Sequence, residues 1–389
     1  MNKQVSPWGH HFLDTMNENE YSECVSDSVA VWKDKTPGLE KALSESSYEY
    51  RRSNAVKVSF IVICILVALV VIGFSLTVGD YSIGFWETYQ IIIDHILGNV
   101  QDVDKDYVIW DLRMPRIVTG ILTGGALAIA GATMQSVMKN PLADPYTTGI
   151  SSGAGFGATL AICLGVSFAG GGYFVVVNAF LFSLIPTAVI MVVSKMRGAS
   201  PTTMVMAGIA VMYIFNAFTA VIKLYASPES LSVLYQWSVG TLDSTRWMDV
   251  SVMVPFVIVG TIAMFLLSRQ LNVLISGDES AKTLGIDADK LRMISILIIA
   301  LLTASVVSFT GLIGFIGLVC PHVVRMFIGS DNRYLLPASF AFGIALILAS
   351  DLVGRVVMAP HVFPVGIITS FIGGPLFLYL IMKQRKSAW

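Results

Sequence analysis

The chain has 389 residues, of which 55% are hydrophobic and only 13% charged, with a mean hydropathy of +0.72. A soluble domain carries about 25% charged residues, so this composition excludes an ordinary soluble globular protein. The net charge of −1 creates no field that would gather nucleic acid.

Residues 1–55 stand apart from the rest: they are polar, rich in Ser and Glu, and lack an apolar run. No apolar core follows the start, so the segment does not read as a signal peptide. It is expected to be a mobile cytoplasmic extension with a short helix near Thr36–Tyr50. Residues 56–389 form the transmembrane domain.

Ten apolar segments follow, at about 58–78, 116–138, 147–167, 173–194, 203–225, 248–268, 291–310, 313–329, 336–357 and 363–382. A run of about 20 apolar residues crosses a hydrocarbon core of about 30 Å. In lipid such a run must be helical, because its backbone polar groups need partners within their own segment. The fold class is therefore an all-α polytopic membrane protein. Its eighth span is short and interrupted by Pro321. With the N-terminus inside, 15 Lys and Arg fall on inner flanks and 6 on outer flanks. That bias places both termini in the cytoplasm. The first outer loop, 79–112, is acidic.

Along the chain, Arg113 and Arg116 open the second span. Gly124, Ala128 and Ala132 then recur every four residues, as do Gly149, Gly153, Gly157, Ala161 and Gly165 on the third span. Small residues at this spacing let helix backbones approach closely, so these stripes read as packing faces. Between the two spans, Asn140-Pro-Leu-Ala-Asp-Pro145 holds two prolines, which prevent a continuous helix and fix a rigid turn.

The segment Ser227–Asp243 is too short and polar to span, and reads as an outer-surface helix. The longest inner connection lies at about 270–290. There Ser276 or Asp278 would cap a short helix running through Leu284, and Gly285 would end it in a left-handed conformation. Ile275, Ala281, Leu284 and Ile286 would leave apolar groups facing water, a pattern that marks a docking surface or a helix lying on the bilayer. Asp351 and Arg355, one turn apart near the outer end of span nine, read as an ion pair.

The four cysteines are scattered and read as small buried hydrophobes. His95 falls in a loop, and His322 and His361 beside prolines at helix ends. There is no phosphate loop, and no Gly-Lys pair at all, so the chain carries no ordinary nucleotide cradle. No metal-protease, nucleophile-elbow or intramembrane acid-pair pattern occurs, which counts against an intramembrane enzyme and an ion-coupled secondary transporter.

These residues resemble the FecCD-type permease subunit of binding-protein-dependent ABC importers for iron-siderophore, haem and cobalamin. The similarity covers about Val58 to Lys383. It is carried by Arg113-Met-Pro-Arg116, the run from Gly124, Gln135, Asn140 to Pro145, Gly149 to Gly157, Ala207-Gly-Ile209 and Trp237 to Gly240. Glu279 to Gly285, Gly311 to His322, Leu335 to Ala338 and Phe363-Pro-Val-Gly366 complete it. The resemblance implies the type II ABC importer permease fold, a homodimer of ten-span subunits in the cytoplasmic (inner) membrane of a bacterium or archaeon, and a translocation path lined by spans 5 and 10. Asn216 and Thr219 on span 5 are polar candidates for that path.

It further implies two cytoplasmic ABC ATPase subunits that carry ATP and Mg, docked on Glu279, Ala281, Leu284 and Gly285. An extracytoplasmic binding protein would be received by Arg113, Arg116 and Arg355. The cytoplasmic gate resembles the turn at Asn140 and Leu142 together with the turn before span 5, where Ser200-Pro201-Thr202 departs from the family pattern at Pro201 and leaves Thr202 as the candidate. The chain itself is expected to bind no cofactor or metal, to catalyse no reaction and to have no nucleic-acid partner. A ferric siderophore is the expected cargo, with cobalamin and haem as alternatives.

Overall fold

The computed structural model describes residues 39–79, 81–168, 170–243, 245–357 and 361–383. The chain divides into two compact units, Met1–Val56 and Lys57–Trp389. The helix expected near Thr36–Tyr50 lies partly outside the described residues. From Leu39 the chain is helical without interruption, as α1 (Leu39–Thr77).

Twelve further helices follow among the described residues: α2 (Phe85–Ile96), α3 (Val103–Val137), α4 (Ile150–Leu164), α5 (Phe174–Arg197), α6 (Pro201–Tyr225), α7 (Pro228–Ser238), α8 (Trp247–Ile275), α9 (Asp278–Thr283), α10 (Ala288–Thr310), α11 (Ile316–Ile328), α12 (Asn332–Val356) and α13 (Val365–Lys383). Seven are long and apolar enough to cross a bilayer: α1 from Asn54, α3, α5, α6, α8, α10 and α12. The shorter apolar helices α4, α11 and the Val365–Tyr379 part of α13 supply the remaining three of the ten expected segments. The protein is a multi-pass membrane protein.

Helix α3 is the axis of the bundle, with 89% of its most apolar window buried. It packs against α8, α10, α11 and α12. The small residues explain how four neighbours fit around it. A Cβ placed on Gly124 would stand 2.5 Å from the Gly343 carbonyl oxygen of α12, and one on Gly131 would collide with Gly317 of α11. Gly153 and Gly157 of α4 face the backbone of α5 in the same way. By contrast, α1 is peripheral, and Val62, Leu66, Leu69 and Val70 stand exposed where lipid would cover them.

The Asn-Pro connection does more than turn the chain. A Cβ on Gly317 would touch Leu127, Pro145 and Asp144 together. Leu127 lies ten residues inside the end of α3, about 15 Å at 1.5 Å per residue. The Tyr146 hydroxyl donates to the Ile313 carbonyl at 3.0 Å. The turn therefore folds back into the bundle, which is tolerated because protein surrounds its backbone. This return, with the turn at Gly311–Phe315, makes α4 and α11 short.

Helix α7 is largely exposed, with Leu234 its one buried residue, but the chain that leaves it enters the bundle. At its end, Thr241 N–H donates to Thr310 O at 2.8 Å and Gly366 N–H donates to Gly240 O at 3.1 Å. The expected loop 79–112 contains α2 and the first turns of α3, which start at Val103 after the Asp102 side chain accepts from Lys105 N–H. His95 is consequently helical, 2.8 Å from Asp106 and stacked on Trp110. His322 sits inside α11 and is buried, away from a helix end. Cys64 and Cys320 are buried and Cys163 partly so, all as free thiols, while Cys24 lies outside the described residues.

Candidate functional site

The first group gathers where α1 ends and α3 begins. Pro115 lacks an N–H, so the Asp111 carbonyl loses its usual i+4 donor. Residues Val108–Arg113 widen into a π turn, with Met114 N–H reaching Ile109 O. The Arg113 guanidinium then donates to Leu76 O at 2.7 Å, Thr77 O at 3.0 Å and Tyr81 O at 2.6 Å. Arg355 donates to Ser75 O at 3.0 Å and Val78 O at 2.6 Å. The two arginines therefore satisfy the carbonyls that the end of α1 leaves without intrahelical partners.

Arg116 grips buried Asp351 through Nε at 3.0 Å and Nη2 at 2.7 Å, and reaches Asp243 through Nη1. Arg355 Nε stands 3.1 Å from Asp351, an ion-pair contact without hydrogen-bond alignment. The Asp351–Arg355 pair is present, enlarged to a network. The three arginines are not presented outward: Arg113 is 6% exposed and Arg116 and Arg355 9% each. These arginines, expected to receive a binding protein, already have helix-end carbonyls and Asp351 as partners.

At the opposite end of α3, the Asn140 side chain accepts from Leu142 N–H at 2.9 Å, closing an Asx turn that leaves Leu142 exposed. Thr202 is exposed in the first turn of α6, which Ser200 caps through Thr203 N–H at 3.2 Å. Pro201 is the first residue of that helix, where a missing N–H costs nothing. No hydrogen bond joins Thr202 to the Asn140 turn among the described residues.

The loop after α8 forms α9, but neither expected residue caps it. Gly277 holds the cap position at φ 127°, and Asp278 is engaged elsewhere. Its carboxylate accepts from Arg292 at 2.6 and 3.0 Å and from Lys139 at 2.8 Å. Arg292 and then Lys139 hold the Asp278 carboxyl down at about 2. Gly285 adopts the left-handed conformation expected of it, with φ 76°.

The exposed apolar patch is smaller than the sequence suggested. Ala281 is fully buried, Ile275 and Ile286 are partly covered, and Leu284 alone of the four is exposed, at 68%. Glu279 is exposed. The buried Arg292, which ties α9 to the bundle, was missed because a basic residue in the first turns of a span reads as an ordinary inner flank.

On α6, Asn216 is exposed and Thr219 partly so. A cavity of about 490 Å³ opens elsewhere, where the end of α7, the turn after α10 and α13 converge, lined by Ser238, Val239, Leu312, Gly366, Ser370 and Phe371. Asn216 and Thr219 do not line it. No group of three or more metal-ligating side chains occurs among the described residues.

Residues 65–383 match the FecCD transport family. The chain belongs to this family. Among its relatives, a Methanocaldococcus jannaschii protein named as an ABC transporter permease is 39% identical over 87% of this chain and 98% of its own. The cobalamin import system permease protein of Halobacterium salinarum is 40% identical over 72% of this chain and 75% of its own. A solved structure described as an inward-facing metal-chelate type ABC transporter superposes with a TM-score of 0.74 at 27% identity. It covers 84% of this chain and 99% of the other. The protein is thus an ABC importer permease of the FecCD family, and α3, α9 and the Asn140 turn are parts of that permease.

Proposed function

We infer that this permease works as a homodimer with two ABC ATPase subunits, and imports a metal chelate delivered by a soluble binding protein. The observation that carries this reading is the construction of α9. Ala281 anchors it in the bundle and Asp278 ties it to α10 and to the end of α3, while Leu284 projects from its exposed side. An element fastened inside and apolar outside can pass a push from a partner into the helices that hold the Asn140 turn.

In this reading both termini are cytoplasmic, and ATP and Mg act on the partner ATPases. Their closure moves α9, Arg292 and Lys139 carry the motion to α3, and the turn at Asn140 and Leu142, with Thr202, opens or closes the inner mouth. Arg113, Arg116 and Arg355 serve the binding protein from within, holding the outer rim in shape beneath it. The path runs along α13 and α6, with Asn216 and Thr219 on the latter. The cargo is a ferric siderophore-type chelate, with haem and cobalamin as the second reading. The cobalamin relative and the metal-chelate structural neighbour both support the class.

The test is co-purification of the permease with its ATPase. Leu284→Asp is expected to weaken the complex by more than tenfold while the thermal stability of the permease alone stays unchanged, because Leu284 is exposed. Undiminished ATPase binding would remove α9 from the coupling role.

A further inference from the structure

A cavity of about 540 Å³ lies between the ends of α3, α8 and α11, a volume typical of small-molecule sites. Its wall combines Arg325, Lys139, His322 and Gln135 with the apolar side chains of Ile275 and Met326. The charge in this wall is unbalanced. The half-buried Arg325 guanidinium has no hydrogen-bond or ion-pair partner among the described residues. Lys139 has only Asp278, a carboxylate it shares with Arg292. Lys139 also holds a left-handed backbone, φ 49°, which is uncommon for a residue with a side chain.

Within the same wall, His322 Nδ1 is buried without a hydrogen-bond partner and donates in its Nδ1–H tautomer, whereas the unpartnered Gln135 Oε1 is an acceptor and adds nothing toward an anion. A positive charge partly withdrawn from water without a counterion is disfavoured, and Arg325 with Lys139 beside it is complementary to an anion. Its surroundings narrow the kind. Met326 and Phe327 stand exposed at the end of α11, where acyl chains would cover them, and basic pockets between helix ends are suited to lipid phosphates.

We propose that this cavity binds a phosphate group, supplied by the headgroup of an anionic phospholipid. Arg325 and Lys139 are its cationic partners, and the acyl chains lie along Met326 and Phe327. The site abuts the Asn140 turn, whose Asn140 and Pro141 share its wall, is distinct from the cavity at α13, and needs no cargo to be occupied.

The test is thermal unfolding of the full-length protein in neutral detergent, with added phosphatidylglycerol, phosphatidylcholine or inorganic phosphate. Phosphatidylglycerol is expected to raise the midpoint and phosphatidylcholine to leave it unchanged. Arg325→Gln should lose the shift and Arg325→Lys should keep it. A shift with inorganic phosphate alone, lost in Arg325→Gln, upholds the phosphate site and moves its source to solution. Equal shifts with the two lipids, or a phosphatidylglycerol shift intact in Arg325→Gln, overturns the proposal. Native mass spectrometry of the unmutated protein gives a reading that does not depend on the variant folding. Selective retention of phosphatidylglycerol supports the site, and equal retention of both lipids contradicts it.

Discussion

Truncating Arg116 leaves Asp351, a side chain only 1% exposed, with a single remaining cation. Breaking a buried ion pair costs about 3–5 kcal/mol. Arg116→Met is expected at the lower end, about 3 kcal/mol, because Arg355 still stands 3.1 Å from Asp351. Unfolding in detergent measures it, and the double variant with Asp351→Asn should lose less than the sum of the two single changes. Asp278 gives a prediction in pH. Its folded pKa is lowered from 3.8 to about 2, so its contribution is fully present above 3.8 and is lost as pH falls through about 2. Protection of the α9 amides, measured by hydrogen exchange and corrected for intrinsic rate, should therefore stay constant from neutral pH down to about 4. Of these partnerships the sequence announced only the Asp351–Arg355 pair. Arg113 and Arg355 stood out as charges near helix ends, yet only the folded chain brings them to the last carbonyls of α1, which lie far away in sequence.

At the scale of elements, close crossings set the bundle. Gly124→Val must push α3 from α12, since the new Cβ would meet the Gly343 backbone, which cannot rotate away. Overpacking of this kind costs about 1–3 kcal/mol, and a lowered unfolding midpoint is the expected readout. Gly285 is the opposite case, with open space around it but φ at 76°. Gly285→Ala should therefore cost about 1 kcal/mol through backbone strain alone, and should loosen the end of α9 in exchange measurements while leaving the bundle intact. Spans were legible because lipid allows only one regular solution for an apolar run. The return of the Asn140–Gly149 turn to the depth of Leu127 was not, since two prolines specify a break without saying how deep it lies. The burial of Ala281 was hidden for a similar reason: an apolar residue on a short polar helix is placed by the helices that helix packs on, here α8 and α10.

For the molecule as a whole, the exposed faces have different uses. The apolar surface of α1 suits lipid, and the similarly exposed α6, only 17% buried over its apolar window, is the face that the proposed homodimer would cover. The two ends differ in chemistry. One is closed by arginines that satisfy helix-end carbonyls. The other carries α9, the Asn140 turn and the cationic cavity. On the function proposed above, that asymmetry gives a rigid rim at one end and a coupled mouth at the other. The decisive measurement is uptake into proteoliposomes holding the permease and its ATPase, with the binding protein and a radiolabelled ferric chelate or cobalamin outside. Uptake that requires ATP inside and the binding protein outside, and that falls in Leu284→Asp, is the expected result. Undiminished uptake by the permease without its ATPase would contradict it.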